Sequence, residues 1–329
     1  MIAIQSHSDE ASTDDVIDWL LYLGADRIKR LNGNVSLNKE TLRINNDSGH
    51  SSLFGELQAY WYRRGYFTLD IPDTGNPYPA VTTYFEKEYE YYTNGTAHFL
   101  SKQHSINSFC DNHTNKITNL VEAARAGLLI PDTLITADVK EIKAFAALYP
   151  RIITKAIAHN RIAATIDSDT YINIAVDTAI FDRDMIDALS AEQHFLPAVF
   201  QEYLEKKYEL RIFYFHGRLY SMAIFSQLNE ATRIDFRKHD RETPNRCVPY
   251  QLPDDLENKL RSFMQRIAMN SGSIDMVVTP SDDYVFLEVN PVGQLQWLSG
   301  NCNYPVEREI AKFLLHDQET GNRTTENHR

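Results

Sequence analysis

The sequence predicts an α/β (α+β) protein assembled from two or three packed units. Three observations carry that expectation. The chain has 329 residues, more than one hydrophobic core ordinarily organises. It opens with a strand, a turn and a helix. Its second half carries repeated short β runs separated by turn chemistry, the mark of antiparallel hairpins.

The elements follow in order. Ile2, Ala3 and Ile4 give an apolar start, and Ser12 or Thr13 is placed to cap a helix carrying Val16, Ile17, Trp19, Leu20 and Leu23, with Gly24 as its stop. Leu57 to Arg64 is a second strand-like run ending at Gly65. Residues 1–100 are therefore expected to form a small N-terminal α/β domain. Asp70 to Tyr84, with Pro72, Pro77 and Pro79, reads as a loop entering an aromatic helix over Tyr84 to Tyr92. Residues 106–132 read as a loop and then a helix with Ile117, Leu120, Val121 and Ala124 at helical spacing, Gly127 at C′ and Pro131 beyond. Short β runs follow between Arg151 and Ile180. Two longer ones flank His216-Gly217-Arg218 as a hairpin, and residues 255–270 form a helix. Residues 101–200 and 201–315 are expected to be central and C-terminal subdomains. The tail, 316–329, has no apolar content and is expected to be disordered.

Composition narrows the function classes. Lys and Arg number 33 against 45 Asp and Glu, a net charge of −12, which disfavours nucleic-acid or membrane-surface binding. No run approaches the ~18 apolar residues of a membrane span, and the N-terminus lacks the layout of a secretory signal. Cys110, Cys247 and Cys302 are scattered without metal-ligand or disulfide spacing, so a reducing cytoplasm is the expected location.

The most informative stretch is Gly272 to Asn290. Two β runs flank Pro280-Ser-Asp-Asp283, and a four-residue loop there sets Asp275 opposite Glu288. Alternation gives Glu288 and Asn290 one face and Leu287 and Val289 the other. Two facing carboxylates repel, so either the register differs or a cation lies between them. A solvated acidic sheet face is the ordinary explanation for such a pattern. Here Glu288 and Asn290 end a strand of buried character, where an uncompensated carboxylate costs several kcal/mol. Oxygen donors of this kind suit Mg²⁺.

A magnesium–nucleotide site also requires cations at the phosphates. Neither a P-loop nor a Rossmann glycine pattern is present. Lys116, at a helix start, and Lys155, in a β run, are the candidates, although each alone also fits a solvated lysine. Glu209 and Arg211 share one strand face, and an in-sheet ion pair would explain them equally. Arg237 and Arg246 fit ordinary surface arginines.

Taken in order, Asn115-Lys116, Gly127-Leu-Leu-Ile-Pro-Asp-Thr, Lys155, Gln201-Glu202-Tyr203, Glu209-Leu-Arg211, Asp275 and Glu288-Val-Asn290 resemble the ATP-grasp fold. The segments YWYRRG at 60–65, SMAIFSQ at 221–227, DFR at 235–237, GSID at 272–275 and FLEVNPVGQ at 286–294 resemble one branch of it. That branch is the peptide maturases of grasp-with-spasm systems, relatives of the microviridin-type graspetide synthetases. The resemblance runs to about residue 315.

It implies a nucleotide between two antiparallel sheets, preceded by an N-terminal pre-ATP-grasp domain. It assigns Lys116 and Lys155 to phosphates or base, and Gln201, Glu202, Tyr203 and Leu204 to the adenine hinge. Glu209 falls to the ribose, and Asp275, Glu288 and Asn290 to magnesium. ATP and Mg²⁺ are the implied cofactors, and the implied partner is a ribosomal precursor peptide with a leader and an acidic core. An Asp or Glu side chain of that peptide is phosphorylated, then captured by Thr or Ser as a macrolactone or by Lys as a lactam. Phosphoryl transfer between anions needs positive charge at the equatorial oxygens, a role suited to Arg211 and Arg237, and Arg237 can also grip the acceptor carboxylate. Glu209 and Asp235 are both candidates for the general base. A homodimer is expected from relatives. The competing readings are another ATP-grasp carboxylate–amine ligase and a non-catalytic nucleotide- or peptide-binding module.

Overall fold

The computed structural model describes residues 1–45, 49–52, 54–55, 57–70, 78–102, 104–107, 114–158, 161–165, 171–175, 178–190, 193–227 and 244–315. Cys110, Asp235, Arg237 and the 316–329 tail lie outside the described residues.

The first third contains β1 (Ile2–Ser6), α1 (Ala11–Tyr22), β2 (Ile28–Asn32), β3 (Val35–Ser36), β4 (Leu42–Ile44), β5 (Gly49–Ser51), β6 (Ala59–Tyr62), β7 (Phe67–Thr68), α2 (Pro79–Ser101) and β8 (His104–Ile106). Strands β2, β1, β6 and β8 form a parallel sheet in that order. Parallel sheets are covered on both faces, and alternation along β1 shows how. Ile2 and Ile4 pack with Val16 and Leu20 of α1, whereas Ala3 joins Tyr60, Ala97 and Leu100 on the α2 side.

Two expectations about helix edges are corrected. Neither Ser12 nor Thr13 caps α1. Its N-cap is Glu10 without a side-chain cap, because the Ser12 hydroxyl donates to Glu10 Oε1 at 2.7 Å and Thr13 pairs with the Ser6 hydroxyl at 2.7 Å. The aromatic helix also starts earlier and ends later than Tyr84 to Tyr92, with Pro79 in its first turn, where a missing N–H costs nothing.

The remainder contains α3 (Lys116–Arg125), β9 (Thr133–Thr136), α4 (Val139–Ala146), β10 (Ile152–Lys155), β11 (Arg161–Thr165), β12 (Tyr171–Ala175), β13 (Ala179–Phe181), α5 (Arg183–Asp187), β14 (Ala198–Glu202), β15 (Tyr208–Phe215), β16 (Arg218–Phe225), β17 (Arg246–Pro249), α6 (Asp254–Arg266), β18 (Ser271–Val278), β19 (Tyr284–Asn290), α7 (Gln296–Cys302) and α8 (Val306–Leu315). Strands β13, β10, β14 and β9 make one antiparallel sheet, and β17, β16, β15, β18 and β19 make a second. Helices α4 and α5 back the first sheet through Ile142, Phe145 and Ile186. One face of the second packs Leu210, Ile212, Ile274 and Met276 against Leu260 and Phe263 of α6. Its other face carries Phe213, Phe215, Met222 and Ile224 into the core of the N-terminal unit.

Asn115 caps α3 as its place in the sequence suggests, accepting from the Ile117 and Thr118 amides at 2.9 and 3.2 Å. The apolar face of that helix is rotated from the expected one. Leu120 and Ala123 are buried, but Ile117 and Val121 are exposed, because Asn119 takes a buried position. The turn between β15 and β16 is a two-residue loop, His216 at φ 44° and Gly217 at φ 84°, the doubly positive geometry that matches strand twist.

Candidate functional site

The decisive hairpin is β18–β19. Asp275 pairs opposite Glu288, as the sequence pattern predicts, but by a different route. Val278 pairs with Tyr284, so the loop holds five residues rather than four, and a bulge after Asp275 restores the register by one. The extra residue is Leu287. A bulge turns two successive side chains towards one side, and Leu287 accordingly lines the same cleft as Glu288. This corrects its expected place on the opposite face.

The two carboxylates are not left to repel one another. Arg211, directly across from Asp275 on β15, donates from Nη1 to Oδ1 and Oδ2 at 2.7 and 2.8 Å. Lys116 Nζ lies 3.7 Å from Glu288 Oε2, and the Asn290 amide donates to Asp275 Oδ2 and Glu288 Oε1, both at 3.3 Å. The repulsion argued from sequence is thus balanced by protein cations on two sides, and the helix-start position of Lys116 acquires its anion. Arg211 and Asp275 are both buried, and Arg211 Nε has no hydrogen-bond partner among the described residues.

The cleft lies between the two antiparallel sheets. The four-stranded sheet contributes Ile153 and Lys155 of β10, Gln201 and Glu202 of β14, and the following Tyr203 and Leu204. The five-stranded sheet contributes Glu209, Asp275, Val277, Leu287 and Glu288. Two hydrogen bonds fix the strand leading to the hinge-like segment. Gln201 Nε2 donates to Thr133 Oγ1 at 2.8 Å, and the Asp132 amide donates to Glu202 Oε1 at 2.9 Å. Arg151 stacks its guanidinium 4.2 Å from the Tyr203 ring centre.

Glu209 is buried and held by the Ser226 hydroxyl at 2.9 Å and by the Lys206 ammonium. Burial pushes its carboxyl above the ordinary range, against the pull of Lys206 and Ser226. Lys206 also lines the cleft and was missed from sequence. The available signal was its three-residue distance from Glu209 beside a buried strand. Arg246 is exposed, as an ordinary surface arginine would be, and stacks over Phe225 at 5.5 Å on the edge strand β17.

A second omission is the set of contacts that ties this hairpin to the N-terminal unit. Arg63, in the YWYRRG motif, is buried and donates from Nη1 to the Gly293 carbonyl at 2.8 Å. Its Nε and Nη2 grip Glu10 Oε1 at 3.1 and 2.8 Å. Although burial works the other way, Arg63 and the hydrogen bonds of Ser12 and Arg64 hold the Glu10 carboxyl down at about 2. Asn107 adds a clasp, donating from Nδ2 to the Ser271 and Pro291 carbonyls at 2.7 and 3.2 Å and accepting from the Ser271 amide at 3.2 Å.

Comparison with solved structures decides what this arrangement is. The macrocyclase MdnC of Microcystis aeruginosa MRC, bound with its precursor peptide, is 27% identical; the match covers 96% of this chain and 100% of that one, with a TM-score of 0.72. The chain has the ATP-grasp fold. A RiPP-associated ATP-grasp ligase of Chryseobacterium gregarium, in complex with ADP and a leader and core peptide, is 23% identical over 96% of both chains, with a TM-score of 0.76. The ATP-grasp ligase PsnB with a minimal precursor, Mg and ADP is 16% identical over 97% of this chain and 98% of that one, with a TM-score of 0.68. No family model matches the chain, and no curated protein sequence does. Its resemblance to the peptide-maturing branch therefore holds at the level of the whole fold. Among the described residues no helix is long and apolar enough to cross a membrane.

Proposed function

We propose that this ligase uses ATP to phosphorylate Asp or Glu side chains of a ribosomal precursor peptide and closes them onto Thr or Ser hydroxyls as macrolactones, with lactams to Lys as the second product class. The observation that carries the reading is the facing pair Asp275 and Glu288 at the floor of a cleft between two antiparallel sheets. The peptide substrate is argued from the similarity to MdnC and to the Chryseobacterium ligase, both solved with peptides.

The donor set fits Mg²⁺. Asp275 and Glu288 stand opposite each other with the Asn290 amide beside them, and such a set would hold an Mg²⁺ ion together with phosphate oxygens and water. Bound there, Mg²⁺ would neutralise phosphate charge. In this reading Lys116 and Lys155 meet the phosphates, Gln201, Glu202, Tyr203 and Leu204 flank the base, and Glu209 meets the ribose. Arg211 holds Asp275 in place and adds charge at the transferring phosphoryl group. Arg237, outside the described residues, is assigned to the acceptor carboxylate.

The chemistry balances. A peptide carboxylate oxygen takes the γ-phosphoryl group and ADP leaves. The acceptor hydroxyl then attacks the acyl carbon, phosphate departs with the bonding pair, and the hydroxyl proton is lost to a base. Glu209 is already committed to Lys206 and Ser226, so it is the weaker of the two base candidates. The N-terminal unit over 1–100, the subdomains over 101–200 and 201–315, cytoplasmic location and a homodimer complete the proposal.

The test is incubation of precursor peptides encoded beside the gene with enzyme, ATP and Mg²⁺. Loss of one water mass per ring, reversed by mild base, is the expected result. Base-resistant loss shifts the product to lactam. ATP hydrolysis with an unaltered peptide and turnover of another acceptor would favour a different carboxylate–amine ligase.

A further inference from the structure

We infer that Arg63 of the N-terminal unit is a positioning residue for the metal-binding end of β19, an inference that rests on the magnesium reading of Asp275, Glu288 and Asn290. Arg63 lies far from the nucleotide cleft in sequence and does not line it, yet it grips the chain three residues beyond Asn290. Its Nη1 donates to the Gly293 carbonyl at 2.8 Å, and the remaining donors are anchored on Glu10. The guanidinium is thereby a rigid fork between helix α1 and the loop that leaves the hairpin.

That loop is seated with little freedom. Gly293 approaches β18 so closely that a Cβ there would lie 1.9 Å from Ser273 Oγ and 3.1 Å from its backbone nitrogen. Ser273 is the register partner of Asn290 and stands two residues before Asp275 on the same strand face. The Gly293 carbonyl held by Arg63 therefore presses the end of β19 onto the strand that carries Asp275. The bulge at Leu287 loosens the ladder on the near side of Glu288. With a bulge on one side and a strand end on the other, Glu288 and Asn290 depend on outside contacts for their spacing. Arg63 supplies one such contact and Asn107, through the Pro291 carbonyl at 3.2 Å, supplies the other.

Neighbouring Arg64 provides the internal control. It reaches Glu10 Oε2 at 3.1 Å, and no hydrogen bond joins it to the 291–293 loop among the described residues. Two arginines adjacent in sequence thus share the Glu10 carboxylate, and of the two Arg63 reaches the Gly293 carbonyl.

The experiment measures ADP binding by calorimetry with and without Mg²⁺, alongside thermal melts of the full chain. Arg63→Lys keeps the charge but cannot span Glu10 and Gly293 together. It is expected to melt cooperatively, to bind ADP without Mg²⁺ within about twofold of the wild type, and to lose about tenfold of the Mg²⁺-dependent gain, the scale seen when supports of metal ligands are removed. Arg64→Ala is expected to leave that gain unchanged. An Arg63→Lys variant with the full gain, or with both affinities reduced in equal proportion, overturns the assignment. If that variant does not melt cooperatively, Glu10→Gln decides. It loosens the fork without touching the loop, and a gain equal to wild type in it also overturns the assignment. A wild type whose ADP affinity ignores Mg²⁺ would sink the magnesium reading itself, and that result is visible before any variant is made.

Discussion

Along β15, Phe213 and Phe215 point to the same side of the sheet as Glu209 and Arg211, yet the two pairs live in different chemistry. The phenylalanines share a core with Ile2, Ile4 and Leu298. The charged pair meets Asp275, Lys206 and Ser226. A buried Phe contributes roughly 1.5–3 kcal/mol, whereas each buried ion costs several kcal/mol unless it is paired. One strand face thus carries a stabilising end and a costly end, and the costly end is where the proposed chemistry resides. Changes at the two ends should separate stability from turnover.

The largest expected effect is at the ionic end. Glu288→Gln keeps the shape and the Asn290 contact but removes the charge facing Lys116. Turnover of the precursor peptide is expected to fall about ten-thousandfold, roughly 5 kcal/mol of transition-state stabilisation, while the urea midpoint stays near that of the wild type. Mass spectrometry of the peptide and a denaturation curve check both halves. A variant that loses midpoint and turnover together would make Glu288 a structural residue. The opposite dissociation is expected for Phe213→Ala. Truncating that ring should cost about 4 kcal/mol of stability, read from the urea midpoint at unchanged slope. ADP affinity of the folded protein should remain within about twofold.

Glu10 lies between these extremes, at the junction of the two units. Its folded-state carboxyl sits at about 2 against 4.5 for the free group. Because the folded value is the lower one, the stabilisation is complete above about 4.5 and disappears as pH falls towards 2. A shift of that size corresponds to at most ~3 kcal/mol. Denaturation midpoints of the wild type should therefore drop between those pH values more steeply than those of Glu10→Gln. Parallel curves would remove Glu10 from the account.

The sequence was informative about the hairpin for a reason and silent about its supports for another. Asp275 and Glu288 face each other as the pattern predicts, but only because a five-residue loop and the bulge at Leu287 offset one another. Alternation alone cannot see a bulge, so it misplaces Leu287. The family resemblance implied one nucleotide site for Lys155, Gln201, Glu202, Tyr203, Leu204, Glu209, Asp275 and Glu288, and all of them line one cleft. Arg63 was invisible because its two partners lie in distant parts of the chain, at Glu10 and Gly293. One hint was present: it directly follows Ala59–Tyr62, a central parallel strand buried along its length, where an arginine must find partners. The cap of α1 failed differently. Two hydroxyls in a row satisfy the capping pattern, but Ser12 and Thr13 donate or accept elsewhere within the fold.

The smallest effect tests whether the two ends of β15 are truly independent. The β15–β16 turn closes at the apolar end, with Gly217 at φ 84° and nothing within 4 Å of an added Cβ. Gly217→Ala therefore introduces backbone strain without a collision. The left-handed conformation costs an L-residue about 1 kcal/mol relative to glycine. The urea midpoint should fall by that amount and Mg²⁺-dependent ADP binding should not move, since Arg211 and Asp275 lie four or more residues away along a continuous ladder. An ADP affinity that weakened in step with stability would mean that strain at the turn travels down β15 to Arg211. The ionic end would then draw its geometry from the whole strand, and not only from the contacts of β19 with the N-terminal unit.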